Sequence, residues 1–333
     1  MKPILGITMG DVNGVGPEVI AKAFSDDRLW EFGTPVVLGC PEAYECARVE
    51  TGTGPSPCVI DSVDSLSDTP THLSFLNTGV SAPKRDAGIL SADAGRGAME
   101  WLSAAVELAV TGVIDGIVTC PIHKEGIHLA GYTVRGHTDF IAEATNSPDY
   151  RMCLFTEEIR IVHLSDHVSL RESLDYVSQS RIMETIRIGH RALVDMNALE
   201  KGIAVAGLNP HAGEAGAFGR EEIEVIAPAV RQCQEEGILC TGPYSPDTLF
   251  KRGLEGEFDM IIAMYHDQGH IPLKLTSMDD GVNVTLGIPI VRTSVDHGTA
   301  YDIAGRNLAR EHSLCAAFKM AARLTAPRGE MTV

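Results

Sequence analysis

Short apolar runs alternate along the chain with longer segments in which apolar residues recur at helical spacing. Several runs are continuously apolar rather than alternating, which is typical of strands buried on both faces of a sheet. Residues 50–85 are polar and rich in turn formers, and we predict loops there. The predicted strands are residues 3–8, 35–38, 116–119, 159–164, 203–208, 260–264 and 287–291.

The longer segments carry helix signals at their ends. Ser91 is placed to cap a helix that stops at Gly112. A second helix is predicted over residues 180–196, where Ile182 and Ile186 share one face. Strands that alternate with helices predict an α/β fold with a largely parallel sheet.

A length of 333 residues predicts about two domains at the usual ~100–200 residues each. The formal net charge of −18 disfavours general binding to nucleic acid or to anionic membranes. An anionic ligand would therefore need a local basic pocket. Apolar runs stay shorter than the ~18 residues of a membrane span, so we expect no membrane association.

The eight cysteines are scattered without a C-x-x-C pair. The N-terminal residues Met1-Lys2-Pro3 lead directly into an apolar run, and no targeting signal is recognised. We therefore expect reduced, mostly buried thiols and a cytoplasmic protein.

Polar residues gather just after the predicted strands, where ligands bind in open α/β sheets. His167, His211 and His266 each follow one of these strands. Three imidazoles with open coordination positions form a catalytic zinc-type site. Sequence spacing alone does not bring the three together, and a solvent-facing or core role for each is the alternative.

A glycine-rich segment, GDVNGVGPE at residues 10–18, follows the first predicted strand. Such glycines can let a phosphate approach backbone N–H groups at a helix start. The spacing matches neither G-x-G-x-x-G nor the P-loop pattern. A structural turn capped by Asp11 is the alternative interpretation.

A set of basic and polar side chains suits an anionic substrate. Arg binds carboxylate or phosphate bidentately, and Lys acts as a point charge. Each residue taken singly could instead be an ordinary surface residue. The set comprises His137, Thr138, Lys274, Asn283 and Arg292.

The stretch HGTAYDIAG at residues 297–305, preceded by Asp296, combines small residues with His and Asp. This composition favours a loop that closes over a flat ligand. A helix that begins at Thr299 is the alternative.

Ordered motifs along nearly the whole chain resemble the 4-hydroxythreonine-4-phosphate dehydrogenase family of pyridoxal phosphate biosynthesis. HGTAYDIAG also resembles the adenine-side loop of isopropylmalate and isocitrate dehydrogenases, whose fold binds NAD without the Rossmann glycine pattern. The motifs are residues 10–18, 91–97, 119–125, 136–138, 167 with 170–171, 209–214, 246–250, 265–269 and 292–305.

The resemblance implies two α/β/α domains of the isocitrate/isopropylmalate dehydrogenase type, with the active site in the interdomain cleft at a dimer interface. Residues 1–130 with 295–333 would form the NAD side. Residues 131–294 would form the metal, substrate and dimer side. The expected assembly is a homodimer with shared active sites.

The resemblance also assigns roles to particular residues. His167, His211 and His266 would be metal ligands drawn from both subunits, and Lys274, Asp247 and Asp267 would act in catalysis. The substrate contacts would be His137, Thr138, Lys274, Asn283 and Arg292. The cofactor contacts would be His297, Gly298, Thr299, Ala300, Asp302 and Asn307.

The implied reaction is metal-dependent oxidation of a phosphorylated 3-hydroxy acid by NAD, or NADP, followed by decarboxylation. The expected substrate is 4-phosphohydroxy-L-threonine, and the expected metal is zinc, with magnesium or cobalt as alternatives. Many family members differ from this chain at Val12, His123, Asp139 and Asp166, where they carry Pro, Asn, Glu and a hydroxyl residue. Paralogues acting on 4-phospho-D-threonate, 4-phospho-D-erythronate or an aromatic cis-dihydrodiol therefore stay open.

Two rivals come from other functional classes. A phosphate-ligand binding protein could keep this fold and lose catalysis, and NADH production with any substrate would eliminate it. A metallohydrolase could use the three histidines to activate water, and turnover without NAD would support it.

Overall fold

The computed structural model describes residues 2–66, 70–81, 83–276 and 281–325. Its strands, in chain order, are β1 (Ile4–Thr8), β2 (Thr34–Leu38), β3 (Ser56–Ile60), β4 (His72–Leu76), β5 (Gly116–Thr119), β6 (Arg151–Phe155), β7 (Arg160–His163), β8 (Ile203–Ala206), β9 (Cys240–Tyr244), β10 (Met260–Ala263), β11 (Val282–Leu286) and β12 (Val291–Ser294).

Helices connect most of these strands. In chain order they are α1 (Gly16–Ala23), α2 (Pro41–Thr51), α3 (Ala92–Val110), α4 (Lys124–Leu129), α5 (His137–Ala144), α6 (Leu170–Ser173), α7 (Gln179–Asp195), α8 (Ala227–Glu235), α9 (Pro246–Leu254), α10 (His266–Thr276) and α11 (His312–Thr325). Within the described ranges, every helix is too short or too polar to span a bilayer.

The chain forms two compact units. Unit 1 contains the described residues up to Pro148 and from Ile288 onward, and unit 2 contains Asp149–Gly287. The sequence placed these crossings near residues 130 and 295 instead. Helix α5 packs against α3, and β12 pairs with β5, so both elements belong to unit 1.

The strands of unit 1 lie in the order β3-β4-β2-β1-β5-β12, and their pairings are parallel. Central strands such as β5 are buried along their whole length. Phe24 and Phe318 meet edge to face at 5.2 Å in the helical layer beside this sheet. Their contact ties α11, near the end of the described chain, to α1 near its start.

In unit 2 the order is β11-β6-β7-β10-β8-β9. Strands β7, β10, β8 and β9 are parallel, whereas β6 runs antiparallel to both of its neighbours. A core of Ile161, Ala204, Ile261, Phe250 and Leu273 packs between this sheet and helices α9 and α10. The predicted α/β class is confirmed, and the sheet is mixed.

The sequence did not predict strands β6, β9 and β11, and two other predictions were wrong. Residues 50–85 were predicted as loops but contain β3 and β4, which form the parallel edge of unit 1. The apolar run 287–291 was predicted as a strand, but only its last residue, Val291, is in one. Gly287 has a φ of 84° and Pro289 lacks an N–H, so this run connects β11 to β12.

Both predicted helices are confirmed. The Ser91 hydroxyl accepts hydrogen bonds from the N–H groups of Asp93 and Ala94 at the start of α3. Gly112, just past the end of α3, adopts a φ of 73°. In α7 the predicted face, Ile182 and Ile186, is buried.

All eight cysteines lie in the described residues and are unpaired there. Most are buried, as predicted, and their reduced state stays a prediction; the buried ones are Cys40, Cys120, Cys153, Cys233 and Cys240.

Candidate active site

A buried arginine is fixed at the strand ends of unit 1. Arg292 on β12 donates from Nη2 to Thr119 Oγ1 at 2.9 Å and from Nη1 to Thr138 Oγ1 at 3.4 Å. Thr119 ends β5, the parallel neighbour of β12, so sheet pairing sets the first contact. Burial lowers the pKa of Arg292 to about 10, which leaves the guanidinium charged near neutral pH.

His137 lies beside this arginine at the start of α5. Burial, with the neighbouring Arg292 charge, lowers the pKa of His137 to about 3. The imidazole is therefore neutral under ordinary conditions. Its Nε2 is buried and has no hydrogen-bond partner among the described residues, which is costly unless a ligand supplies one. The structure thus brings together three predicted substrate residues, His137, Thr138 and Arg292.

The glycines of the segment at residues 10–18 let its backbone lie in close contact with the backbone of other loops. A Cβ on Gly10 would collide with the carbonyl oxygen of Pro121, and one on Gly14 would lie 2.8 Å from that of Thr299. Asp11 Oδ1 accepts from the Asn13 N–H at 2.9 Å. These contacts favour the structural turn over a phosphate loop.

Residues 297–300 are neither helix nor strand and residues 301–305 form turns, so the next helix, α11, begins only at His312. The alternative of a helix starting at Thr299 is therefore wrong. In the part of the chain that the structure describes, Gly298 is exposed, with open space around its Cβ position, and His297 Nε2 is buried without a hydrogen-bond partner. Asn307 follows with a φ of 58°. An accessible backbone beside an unsatisfied imidazole nitrogen fits a ligand-binding loop.

In unit 2, His167 and His266 lie side by side, with ring centroids 5.5 Å apart. His266 opens α10 directly after β10, and its Nδ1 is 2.7 Å from Asp267 Oδ1. A carboxylate on Nδ1 leaves Nε2 as the ring nitrogen with a lone pair, which is the arrangement typical of metal-binding histidines.

Two further histidines, His163 and His270, lie behind His266. They were not predicted as site residues from the sequence. The His270 ring stacks on His266 with centroids 3.6 Å apart. His270 Nδ1 is 3.1 Å from His163 Nε2, and the absent side chain of Gly269 makes room for that approach. The available signals were a histidine ending a buried strand and the i, i+4 spacing of His266 and His270.

His211 occupies an unusual backbone. Five consecutive residues from His211 to Ala215 have positive φ, which is strained for all but glycine. The buried Glu222 carboxylate stabilises the preceding turn by accepting from the N–H groups of Leu208 and Asn209. Strain of this kind concentrates at functional sites. No sequence signal pointed to Glu222.

His211 lies beside Asp247, whose Oδ2 is 3.6 Å from its Nδ1, and beside Phe218. In the described ranges of this single chain, no three ligating side chains are arranged to hold one metal ion. The structure thus groups His167 with His266 but does not add His211 to them.

The two other predicted substrate residues also belong to unit 2. Lys274 is exposed in the last turn of α10. Asn283 lies on β11, and within the described ranges its buried Oδ1 has no hydrogen-bond partner.

Polar side chains at the ends of parallel strands are typical of α/β proteins that bind a small molecule there, many of them enzymes. The chain belongs to the family described as pyridoxal phosphate biosynthetic protein PdxA, whose pattern matches residues 31–321. This is a family of dehydrogenases, and the chain is accordingly an oxidoreductase.

Named relatives cover nearly the whole chain. It is 42% identical to D-threonate 4-phosphate dehydrogenase of Salmonella typhimurium, over 96% of this chain and 98% of that protein. It is also 42% identical to 4-hydroxythreonine-4-phosphate dehydrogenase of Desulforapulum autotrophicum, over 96% and 95%. A crystal structure of 4-hydroxythreonine-4-phosphate dehydrogenase from Klebsiella pneumoniae matches with a TM-score of 0.91 and 40% identity, over 98% of each chain.

Proposed function

We propose that this protein is a metal-dependent, NAD-linked dehydrogenase of a phosphorylated 3-hydroxy acid, with 4-phosphohydroxy-L-threonine as the first candidate substrate. The observation that carries the proposal is the buried Arg292, held by Thr119 and Thr138 beside a neutral His137. A fixed guanidinium binds phosphate or carboxylate bidentately, and His137 Nε2 can complete the contact.

The donor set of unit 2 fits a divalent metal ion. His266 is oriented by Asp267 with Nε2 free, and the His167 ring is adjacent. Asp247 lies near His211, with 3.6 Å between Oδ2 and Nδ1, and would orient that ring after a small shift. A zinc ion, or magnesium or cobalt, would there lower the pKa of the substrate hydroxyl.

The missing third ligand supports a homodimer with shared sites. Large apolar side chains follow each proposed ligand and are exposed: Leu170 and Leu174 after His167, Phe218 and Ile223 after His211, and Ile271 and Leu275 after His266. A dimer interface would bury apolar side chains of this kind. A second copy would cover them and contribute a ligand.

The loop at residues 297–307 fits the cofactor. Gly298 leaves its backbone open to a ligand, and His297 Nε2 lacks a hydrogen-bond partner. Thr299, Ala300, Asp302 and Asn307 complete the proposed contacts. NAD, or NADP, would accept the hydride. We therefore assign the cofactor to unit 1 and the metal to unit 2, each with the α/β/α organisation of isocitrate/isopropylmalate dehydrogenases.

The proposed chemistry balances with NAD⁺ as the oxidant and water as the proton carrier. The substrate's secondary alcohol would lose a hydride from carbon, for which NAD⁺ would be the acceptor, and a proton from oxygen to water, which gives a ketone. Because this ketone is a β-keto acid, it could then release CO2, and the resulting enolate would take up a proton from water. Lys274 and Arg292 would hold the anionic groups during both steps.

A second candidate substrate is 4-phospho-D-threonate, since the chain is equally identical to relatives of either name. The test is NADH formation by purified, zinc-loaded protein with each compound. Activity with one of them, lowered about 10- to 100-fold by Arg292→Met but not by the exposed-surface control Arg28→Met, supports the proposal. Phosphate release without NAD would instead indicate the metallohydrolase.

A further inference from the structure

Two distant loops of unit 1 are joined by one side-chain hydrogen bond. The Tyr301 hydroxyl donates to Asp11 Oδ2 at 2.7 Å. Asp11 is fully buried, and burial raises its pKa. Its second oxygen accepts from the Asn13 backbone. Asp11 lies in the loop between β1 and α1, whereas Tyr301 lies within the proposed cofactor loop.

Backbone contacts run along the same junction. The Val15 N–H donates to the Thr299 carbonyl at 3.0 Å. Gly14 and Gly88 lie so close to the carbonyl oxygens of Thr299 and Tyr301 that an added Cβ would be 2.8 and 2.7 Å away. The glycine-rich segment at residues 10–18 does not match a phosphate-loop pattern. It instead forms part of the surface on which residues 299–301 pack.

The proposed cofactor loop, residues 297–307, needs packing contacts of this kind to hold its conformation. Ala300, between the two anchored residues, has a φ of 44°, a conformation that costs free energy for any residue except glycine. The loop has no helix or strand of its own from residue 295 to 311. Its shape therefore depends on contacts with the rest of unit 1.

We propose that Tyr301 is a positioning residue, whose hydrogen bond to Asp11 holds the loop at residues 297–307 in the conformation that binds the nicotinamide dinucleotide. This inference rests on the proposed function. The His123 ring stacks on Tyr301 at 4.6 Å and keeps the aromatic ring in place, so the hydroxyl can be removed separately.

The expected effect is on affinity. The apparent Kd for NAD⁺ equals the intrinsic Kd divided by the fraction of molecules whose loop is in the binding-competent conformation. The Thr299 contact remains in Tyr301→Phe, so we expect the variant to bind NAD⁺ about 3- to 10-fold more weakly, with kcat at saturating NAD⁺ unchanged. A general loss of structure would lower kcat as well.

The experiment is calorimetric titration of NAD⁺ into the zinc-loaded protein without substrate, followed by KM and kcat measurements. Tyr44→Phe is the matched control, because it also removes one tyrosine hydroxyl donor from unit 1; that hydroxyl donates to the backbone carbonyl of Pro55 at 2.9 Å, away from residues 297–307. Weaker binding in Tyr301→Phe alone supports the inference. Equal affinity in Tyr301→Phe and wild type overturns it, and a wild-type protein that binds no NAD⁺ overturns the proposed function with it.

Discussion

His167 and His266 are neighbours because the strands that precede them are neighbours. Strands β7 and β10 pair in parallel, with His163 opposite Ala263, so their carboxyl ends meet at one edge of the sheet of unit 2. The two rings consequently lie 5.5 Å apart. The sequence located both strand ends but contained nothing that fixed the strand order.

The proposed metal site predicts the effect of removing its ligands. His167→Ala, His211→Ala or His266→Ala should each abolish turnover and weaken zinc binding by more than about 100-fold, because even a residue behind a ligand is worth 10–100-fold. The matched control is His72→Ala, since His72 is exposed on β4. Zinc content and competition with a chelator measure the effect. Wild-type zinc content in all three variants would rule the site out.

Shared ligands predict complementation between inactive variants. His211→Ala and His266→Ala, mixed and allowed to exchange subunits, should recover about a quarter of wild-type activity, because half of the dimers then carry one intact site. Neither variant should be active alone. No recovery, with subunit exchange demonstrated independently, would place all ligands on one chain.

The exposed apolar side chains of unit 2 predict a dimer that a single charge can disrupt. Leu275 is 82% exposed, and Leu275→Glu should shift the protein towards monomer and lower activity with it. Val49→Glu, at a residue 70% exposed on α2, should leave assembly unchanged. Light scattering across a concentration series distinguishes the two. A fully active wild-type monomer would contradict the shared-site proposal.

Burial of His137 predicts a loss of stability in mild acid. Its pKa is lowered from 6.5 to about 3 in the folded protein, so the unfolded chain takes up the proton first as the pH falls. The stabilisation is complete above the unfolded pKa and is lost as the pH falls towards the folded one. From about pH 7 to about pH 5, wild type should lose about 2 kcal/mol more unfolding free energy than His137→Asn. Urea unfolding at both pH values measures this, and equal losses would show that the ring is solvated.

The proposed role of Lys274 predicts a selective kinetic loss. Lys274→Met should lower kcat/KM for the phosphorylated substrate by about one to two orders of magnitude, since a charge-assisted contact is worth roughly 1.5–3 kcal/mol. Lys251→Met is the control, because Lys251 is also an exposed helical lysine and pairs with Glu255. Steady-state kinetics distinguish them. Equal kcat/KM values for the two variants would remove Lys274 from the site.

The predictable parts of the fold are the buried elements, because burial leaves a run or a periodic pattern of apolar residues in the sequence. Strand β5 and helix α3 were located to within two residues because apolar runs and the Ser91 cap mark them. Strand β3 was missed because it lies at the sheet edge with Cys58 and Val59 exposed, so it has no apolar run. Strand β6 begins with Arg151, a buried charge that donates to Thr185 and disguises the strand.

The candidate site was predictable where residue chemistry was enough. Arg292, His137 and Thr138 were recognised as anion-binding types, and the structure groups them. His163, Glu222 and the bond between Asp11 and Tyr301 act through tertiary contacts across many residues. Such contacts leave no local periodicity or motif in the sequence.

The central claim is dehydrogenation of a phosphorylated hydroxy acid. The need for the phosphate is the part of this claim that kinetics test most directly. The decisive measurement is kcat/KM for NAD⁺ reduction with 4-phosphohydroxy-L-threonine, 4-phospho-D-threonate and the dephosphorylated form of each. A chain of net charge −18 gains nothing from long-range attraction, so a few fixed contacts must recognise the phosphate. We predict that removing the phosphate lowers kcat/KM by at least about 10- to 100-fold for the better substrate. Equal values with and without phosphate, or preference for an uncharged aromatic cis-dihydrodiol, would contradict the account.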